Sequence, residues 1–268
     1  MIEKRFVILL LAVSCMSLPV SALEFTTFDF PPFSQKSSAG KSTGPFKSII
    51  NDICREMNET CHFTILPTRR AKLKVANGEA DAIFPFGWYS KRGEKFYFSV
   101  PFMLTEYGFF VPSSYKKEVK GLSDIQNFKV GVFGPSNTSN SLANVRDLMI
   151  TMGLKPIRIN IQTDENGNLI RMLESSRIDA YYSNKALAEY RAKQFNVTDV
   201  KYAWRDRELL YFVAFPKKTT KQSLVKRFNQ AALKLFSKPG YLEKQLSPWG
   251  ILPPPLTNDV YSKYEILY

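Results

Sequence analysis

Residues able to carry acid–base, nucleophilic or metal chemistry are few in this 268-residue sequence. It holds one histidine, His62, and three cysteines, Cys15, Cys54 and Cys61. A single imidazole argues against a His-rich zinc site and against Ser-His or Cys-His nucleophilic machinery. No catalytic residue, metal site or cofactor is therefore expected. Charge is the other chemical resource: 37 Lys and Arg face 24 Asp and Glu, a net +13. The excess is greatest in residues 209–268, where Lys217, Lys218, Lys221, Lys226, Arg227, Lys234, Lys238 and Lys244 cluster. Charge alone would allow a nucleic-acid patch. For an exported chain a solvated helix face is the better reading, and no nucleic-acid partner is expected. Gly134-Pro135-Ser136-Asn137-Thr138-Ser139 joins a strand-like run to a helix-like one. Ser, Asn and Thr cap helices, and the free N–H groups at such a turn bind anions; an ordinary capped helix start would use the same residues.

Alternating strand-like and helix-like runs must position these groups. Strands are expected at 23–30, 62–66 and 80–84, with helices at 46–58 and 69–76 between them. The alternation restarts with strands at 129–133, 157–161 and 178–182 and helices at 139–152 and 168–174. This is βαβ order, which implies parallel sheets covered by helices. Residues 75–84 and 173–182 echo each other, each running from a helix end through a tight turn to a strand that opens on Asp-Ala, at Asp81 and Asp179. Two similar lobes account for the echo better than a solenoid does. The apolar runs Tyr107 to Val111 and Leu209 to Phe215 would cross between the lobes as a two-strand hinge. The domain expectation is thus 23–110 with 209–268 for lobe 1 and 111–208 for lobe 2, with a ligand cleft between them.

Lys4 and Arg5 precede the apolar stretch from Phe6 to Val13, and Val20-Ser21-Ala22 has small residues at a signal-peptidase site. Residues 1–22 therefore read as a cleavable secretory signal, too short to span a bilayer of roughly 30 Å. Cys15 offers the competing reading of a lipid anchor, without the usual leucine-led box. Removal of the signal leaves Cys54 and Cys61 as an even pair in an oxidising compartment. The first lies near the end of an amphipathic helix and the second opens the following strand, so a disulfide is expected.

Several runs resemble family 3 extracellular solute-binding proteins, the periplasmic receptors of polar amino-acid ABC transporters. They are Phe30-Pro31-Pro32-Phe33, Gly44 at a helix start, Asn77 to Ala82, Ser90 to Ser99 with Pro101-Phe102, and Lys238-Pro239-Gly240-Tyr241. The resemblance spans nearly the whole chain after residue 22. It implies a two-lobed periplasmic binding protein-like fold of type II, and the Cys54–Cys61 pair is similar to a disulfide of the histidine- and lysine/arginine/ornithine-binding members. It also implies that Arg92 grips a ligand carboxylate, a task for which a guanidinium's paired donors suit. Gly87 would offer a backbone N–H to the same group, Phe30 would stack on the ligand side chain, and Ser136, Asn137 and Thr138 would close on the carboxylate from the second lobe.

Departures from the family pattern shape the expected ligand. The positions that usually hold the ammonium with carboxylates read Thr27 and Asn184. Arg70 resembles an arginine of a divergent branch, and Trp88 adds aromatic surface near Arg92. An anionic or net neutral carboxylate solute is therefore expected, with Asp29 or Glu106 as the other possible source of negative charge. The resulting expectation is a monomeric periplasmic binding protein, not an enzyme, that delivers its solute to an inner-membrane ABC permease. The alternatives are an enzyme on the same fold, of the cyclohexadienyl dehydratase kind, and a periplasmic sensor without transport.

Overall fold

The computed structural model describes residues 22–163 and 167–268. The expected signal peptide, apart from Ala22, lies outside the described residues, and so does Cys15.

β1 (Leu23–Thr27) leads through a small hairpin of β2 (Gln35–Lys36) and β3 (Ser42–Thr43) into α1 (Pro45–Glu56). β4 (Cys61–Ile65), α2 (Thr68–Ala76) and β5 (Ala82–Gly87) follow. The short α3 (Ser90–Gly93) and β6 (Phe96–Phe98) precede the long β7 (Met103–Pro112). The pattern then repeats as β8 (Lys129–Phe133), α4 (Asn137–Thr151), β9 (Arg158–Gln162), α5 (Asn168–Glu174), β10 (Ala180–Asn184) and α6 (Lys185–Gln194). β11 (Val200–Pro216) runs back, and α7 (Gln222–Phe236), α8 (Tyr241–Leu246) and α9 (Asn258–Lys263) finish the chain.

β1 pairs in parallel with β4 and β5, and β8 pairs in parallel with β9 and β10. The two parallel groups are not separate sheets. β7 and β11 run antiparallel beside each other, β11 also pairs with β5 and β7 with β10, so one strand order, β4-β1-β5-β11-β7-β10-β8-β9, crosses both lobes. The two apolar runs expected to cross between lobes are these two strands, longer than their apolar portions. Gly108 lies where β7 is flanked by β10 and β11, and an added Cβ would collide with the Tyr202 hydroxyl and the Trp204 carbonyl.

Burial follows the same division. One core joins residues from 23–103 with residues from 210–266, and is rich in aromatics: Phe46 stacks on Phe102 with ring centres 5.2 Å apart, and Phe228 packs on Phe215 at 5.2 Å. Two further clusters draw only on residues 107–197. α1 joins the first core because Phe46, Ile49, Ile50, Ile53 and Cys54 recur on one face. Cys54 at the end of that helix is bonded to Cys61 at the start of β4, with Cα atoms 6.2 Å apart. Of the basic residues clustered in the C-terminal segment, Lys226, Arg227 and Lys234 lie on the exposed face of α7, whose other face buries Val225, Phe228, Ala232 and Leu235. Arg227 and Lys234 on that exposed face pair with Glu59 and Glu56, tying α7 to the region around α1. Lys234 holds the Glu56 carboxyl below its ordinary value.

The Asp-Ala echo has a structural cause. Asp81 takes the Glu24 N–H on its carboxylate at 2.8 Å while its own N–H donates to the Glu24 carbonyl at 2.8 Å. Asp179 repeats the arrangement with Lys129, at 2.7 and 2.9 Å. In each lobe the aspartate thus clamps the start of the neighbouring strand and extends the ladder by a charge-assisted bond. Asp81→Ala and Asp179→Ala should each cost about 1–3 kcal/mol in chemical denaturation. The two losses should add within about 0.5 kcal/mol, because the clamps share no partner. Unchanged midpoints in both variants would contradict this role.

Candidate functional site

Strand ends and helix starts of both lobes meet around a cavity of about 100 Å³, counted as room for the centres of water-sized spheres. One water needs roughly 10–15 Å³ on that measure, so a small organic solute fits. The carboxyl end of β5 and the turn of α3 supply Gly87 and Arg92 from one side. The start of α4 supplies Ser136, Asn137 and Thr138 from the other. Tyr107 of β7 and Tyr211 of β11, side chains of the two crossing strands, also line it.

Arg92 is the main electrostatic feature. Its Nη1 donates to the Gly87 carbonyl at 2.6 Å, and its guanidinium lies over the Phe86 ring at 3.8 Å and the Tyr89 ring at 4.7 Å. Among the described residues no carboxylate stands within ion-pair distance of it. Burial lowers its pKa from the ordinary guanidinium value, partly offset by Tyr89 and Tyr107. An arginine still stays protonated at neutral pH. A cation with much of its hydration removed, whose partners among the described residues are ring faces, one carbonyl and the Tyr89 side chain, is set to accept an anion.

The opposing wall fits that anion. Ser136 caps α4: its Oγ accepts the Ser139 N–H at 3.1 Å, and Ser139 Oγ accepts the Ser136 N–H at 2.9 Å. First-turn N–H groups have no intrahelical partner, and two first-turn residues of α4, Asn137 and Thr138, line the cavity. Asn137 bridges to the rest of the site, its Nδ2 3.5 Å from the Tyr107 hydroxyl. A Cβ on Gly87 would come within 3.3 Å of Asn137 Nδ2, so glycine lets the two walls approach this closely. Behind them Asn184 Nδ2 donates to Tyr211 at 3.4 Å and to Thr105 at 2.8 Å. Burial raises the Tyr211 phenol well above its ordinary value, with Tyr107 adding to the effect, and it stays a neutral hydroxyl.

Six of the ten residues expected from sequence to bind the ligand line the cavity, Phe30, Gly87, Arg92, Ser136, Asn137 and Thr138, and so does Asp29, the alternative source of negative charge. Four do not. Thr27 is buried below it, its hydroxyl 2.7 Å from the Phe84 carbonyl and 2.8 Å from Ser34 Oγ. Asn184 is also buried; besides its bonds to Tyr211 and Thr105 it caps α6 through the Leu187 N–H at 3.1 Å. Arg70 sits on an exposed position of α2 away from the cavity; Lys72, two residues on, reaches it instead. Trp88 turns toward the C-terminal region and packs edge-on against Tyr264 at 5.4 Å. Glu106 is engaged by Lys185 at 3.2 Å, outside the cavity lining.

Sequence reasoning missed Arg191 and Lys72 as cavity-lining cations and Tyr107, Tyr182 and Tyr211 as its aromatic walls. Tyr107 and Tyr211 could have been found, since tyrosine in a hinge-forming apolar run brings a hydroxyl to the cleft. Arg191 carries no such signal, because α6 has no clear apolar stripe and only the fold aims it.

No family model and no curated protein matches the chain. Solved structures do. A histidine kinase sensor domain with similarity to periplasmic binding proteins superposes with a TM-score of 0.74 at 19% identity, over 87% of this chain and 98% of that one. An ancestral arginine-binding protein bound to arginine gives 0.70 at 22% identity, over 85% and 97%. The ancestral amino acid-binding protein AncCDT-1, a precursor of cyclohexadienyl dehydratase, gives 0.70 at 20% identity, over 85% and 94%. The chain therefore has the two-lobed α/β fold of type II periplasmic binding proteins, with its cavity between the lobes. It shares that fold with amino-acid-binding proteins of ABC transporters, with a kinase sensor and with a precursor of an enzyme.

Replacing Arg92 with Ala should weaken binding of a carboxylate solute by about tenfold to a hundredfold, as expected for losing a charge-assisted contact of roughly 1.5–3 kcal/mol, with the thermal midpoint of the free protein little changed. Arg92→Lys should recover part of the loss, since an ammonium keeps the charge without the paired donors. Equal affinities for wild type and Arg92→Ala in calorimetric titration would remove Arg92 from the site.

Proposed function

We propose that the protein is an extracytoplasmic solute-binding protein that holds a small, anionic or net neutral carboxylate solute between its lobes and delivers it to an inner-membrane ABC permease. The observation that carries this reading is Arg92, partly buried, without a described carboxylate partner, and facing the first turn of α4 across the cavity. Lobe 1 would comprise 23–110 and 209–268 and lobe 2 residues 111–208, with Cys54–Cys61 formed in an oxidising periplasm. Closure would need no chemistry, only better ligand contacts in the closed form than in the open one.

Ring faces of Phe30, Phe86, Tyr107 and Tyr211 would enclose the apolar part of the solute. A binding role is supported over catalysis by the state of Asp29, the one carboxylate among the described residues lining the cavity. Its two oxygens are taken by Arg191 and by the Lys36 N–H, which leaves it poorly placed as a general base. A sensing role without transport is the second reading, favoured by the kinase sensor domain, whose TM-score is the highest of the structures compared above.

A thermal-shift panel of glutamate, a C4 dicarboxylate, an aromatic acid, lysine and arginine tests the proposal. At least one acid should raise the midpoint, by mass action worth about 2.7 kcal/mol at a hundredfold excess over Kd, while lysine and arginine should not. A response to lysine or arginine alone would overturn the charge preference. Silence to every carboxylate would overturn the proposal itself.

A further inference from the structure

Besides the contacts made by the tyrosines of the crossing strands, two direct contacts join the lobes beside the cavity. Both run from α6 to lobe 1, one to Asp29 in the segment after β1 and the other to Gln35 at the start of β2. Arg191 Nη2 meets Asp29 Oδ2 at 3.3 Å, and the Tyr190 hydroxyl donates to Gln35 Oε1 at 2.9 Å. The Asp29–Arg191 pair forms part of the cavity wall. It is held from both ends: the Lys36 N–H donates to Asp29 Oδ1 at 3.1 Å, and Arg191 Nη1 donates to Gln194 Oε1 at 2.8 Å. The Arg191 side chain is 12% exposed against 42% for Asp29, so the arginine is the more enclosed partner.

We infer that Arg191 determines specificity by occupying Asp29, and so keeps cationic solutes out of the cavity. This inference rests on the proposed carboxylate-binding role of the same cleft. A ligand ammonium or guanidinium entering beside Arg92 needs a negative partner to offset its lost hydration. Among the described lining residues Asp29 is the only carboxylate, and each of its oxygens already has one donor, with Arg191 as its cationic partner. To reach it, the ligand would have to displace Arg191, leaving a largely enclosed guanidinium near Arg92 and Lys72 with its ion pair broken. That penalty falls on cations alone; an anionic solute leaves the pair intact and meets three cationic side chains in the wall. Selectivity then comes from a built-in competitor as well as from the carboxylate contact. Removing the Arg191 guanidinium frees Asp29, already oriented by the Lys36 N–H, to receive a ligand cation, while the Tyr190–Gln35 contact can still form when the lobes close.

Calorimetric titrations of wild type, Arg191→Ala, Arg191→Gln and Asp29→Asn/Arg191→Ala with glutamate, lysine and arginine test this. Wild type should bind an acid and ignore lysine and arginine. Arg191→Ala should gain lysine or arginine binding of at least about tenfold over wild type, the size of one partly enclosed charge pair. The added Asp29→Asn change should abolish the gain. Should Arg191→Ala fail to fold, Arg191→Gln is read in the same way, because a neutral amide cannot replace the ion pair. Wild-type acid binding without any gain in either single variant would overturn the inference and leave the proposed function standing. A gain that persists after Asp29→Asn would also overturn it, since the freed partner would not be Asp29. If wild type binds no carboxylate solute, the proposed function fails first and takes this inference with it.

Discussion

A guanidinium removed from much of its hydration, with no carboxylate among the described residues to neutralise it, sets the terms for the cleft. Moving charge out of water is costly unless something compensates, and the partners of Arg92 among the described residues are ring faces, one backbone carbonyl and the Tyr89 side chain. Its placement follows from local structure. β5 ends at Gly87 beside the cavity, and the single turn of α3 carries Arg92 back over the Phe86 ring. Across from it, α4 begins with a reciprocal Ser136–Ser139 cap that fixes the direction of its first turn. In the proposed role, a cation on one lobe and a helix start on the other would form two halves of one anion site.

That division ties binding to lobe position. β7 and β11 cross between the lobes and also contribute the tyrosines of the cavity wall, so the connecting strands and the site share side chains. Tyr107 meets Asn137 of α4, Tyr211 meets Asn184 at the head of α6, and Asn184 in turn bonds Thr105 back on β7. A change in lobe angle would strain or break these hydrogen bonds. The Asp29–Arg191 and Tyr190–Gln35 contacts add a protein-to-protein component to closure that needs no ligand. The balance between open and closed forms would then reflect these contacts together with the solute, and a solute shifts it only by its differential affinity for the two.

Most of the framework was legible in the sequence because periodicity and punctuation report local structure. The strand expected at 129–133 and the helix at 168–174 are β8 and α5 as found, and the Asp-Ala echo marked equivalent strands in two lobes. The echo's physical meaning was not legible, since only pairing of β1 with β5 and of β8 with β10 places each aspartate against the start of its neighbour. α6 was missed for a related reason: its apolar residues do not gather on one side, so nothing local announces a helix. The site divides along the same line. Arg92 and the Ser136–Thr138 turn belong to contiguous motifs. Arg70 and Trp88 were drawn in by their nearness in sequence, yet helix geometry turns Arg70 outward and the Tyr264 ring claims Trp88. Arg191 lies 162 residues from its partner Asp29, as side chains from a second lobe do.

The most direct test of the Arg92 anion site is an NMR titration of protein labelled with ¹⁵N-arginine. The Arg92 Nε–H signal is assigned by its disappearance in Arg92→Lys and followed as a binding carboxylate solute is added. A saturable shift of that resonance, at the solute concentration where calorimetry places the midpoint, is the expected result. Saturable binding that leaves the Arg92 signal unmoved would contradict the site's central assignment.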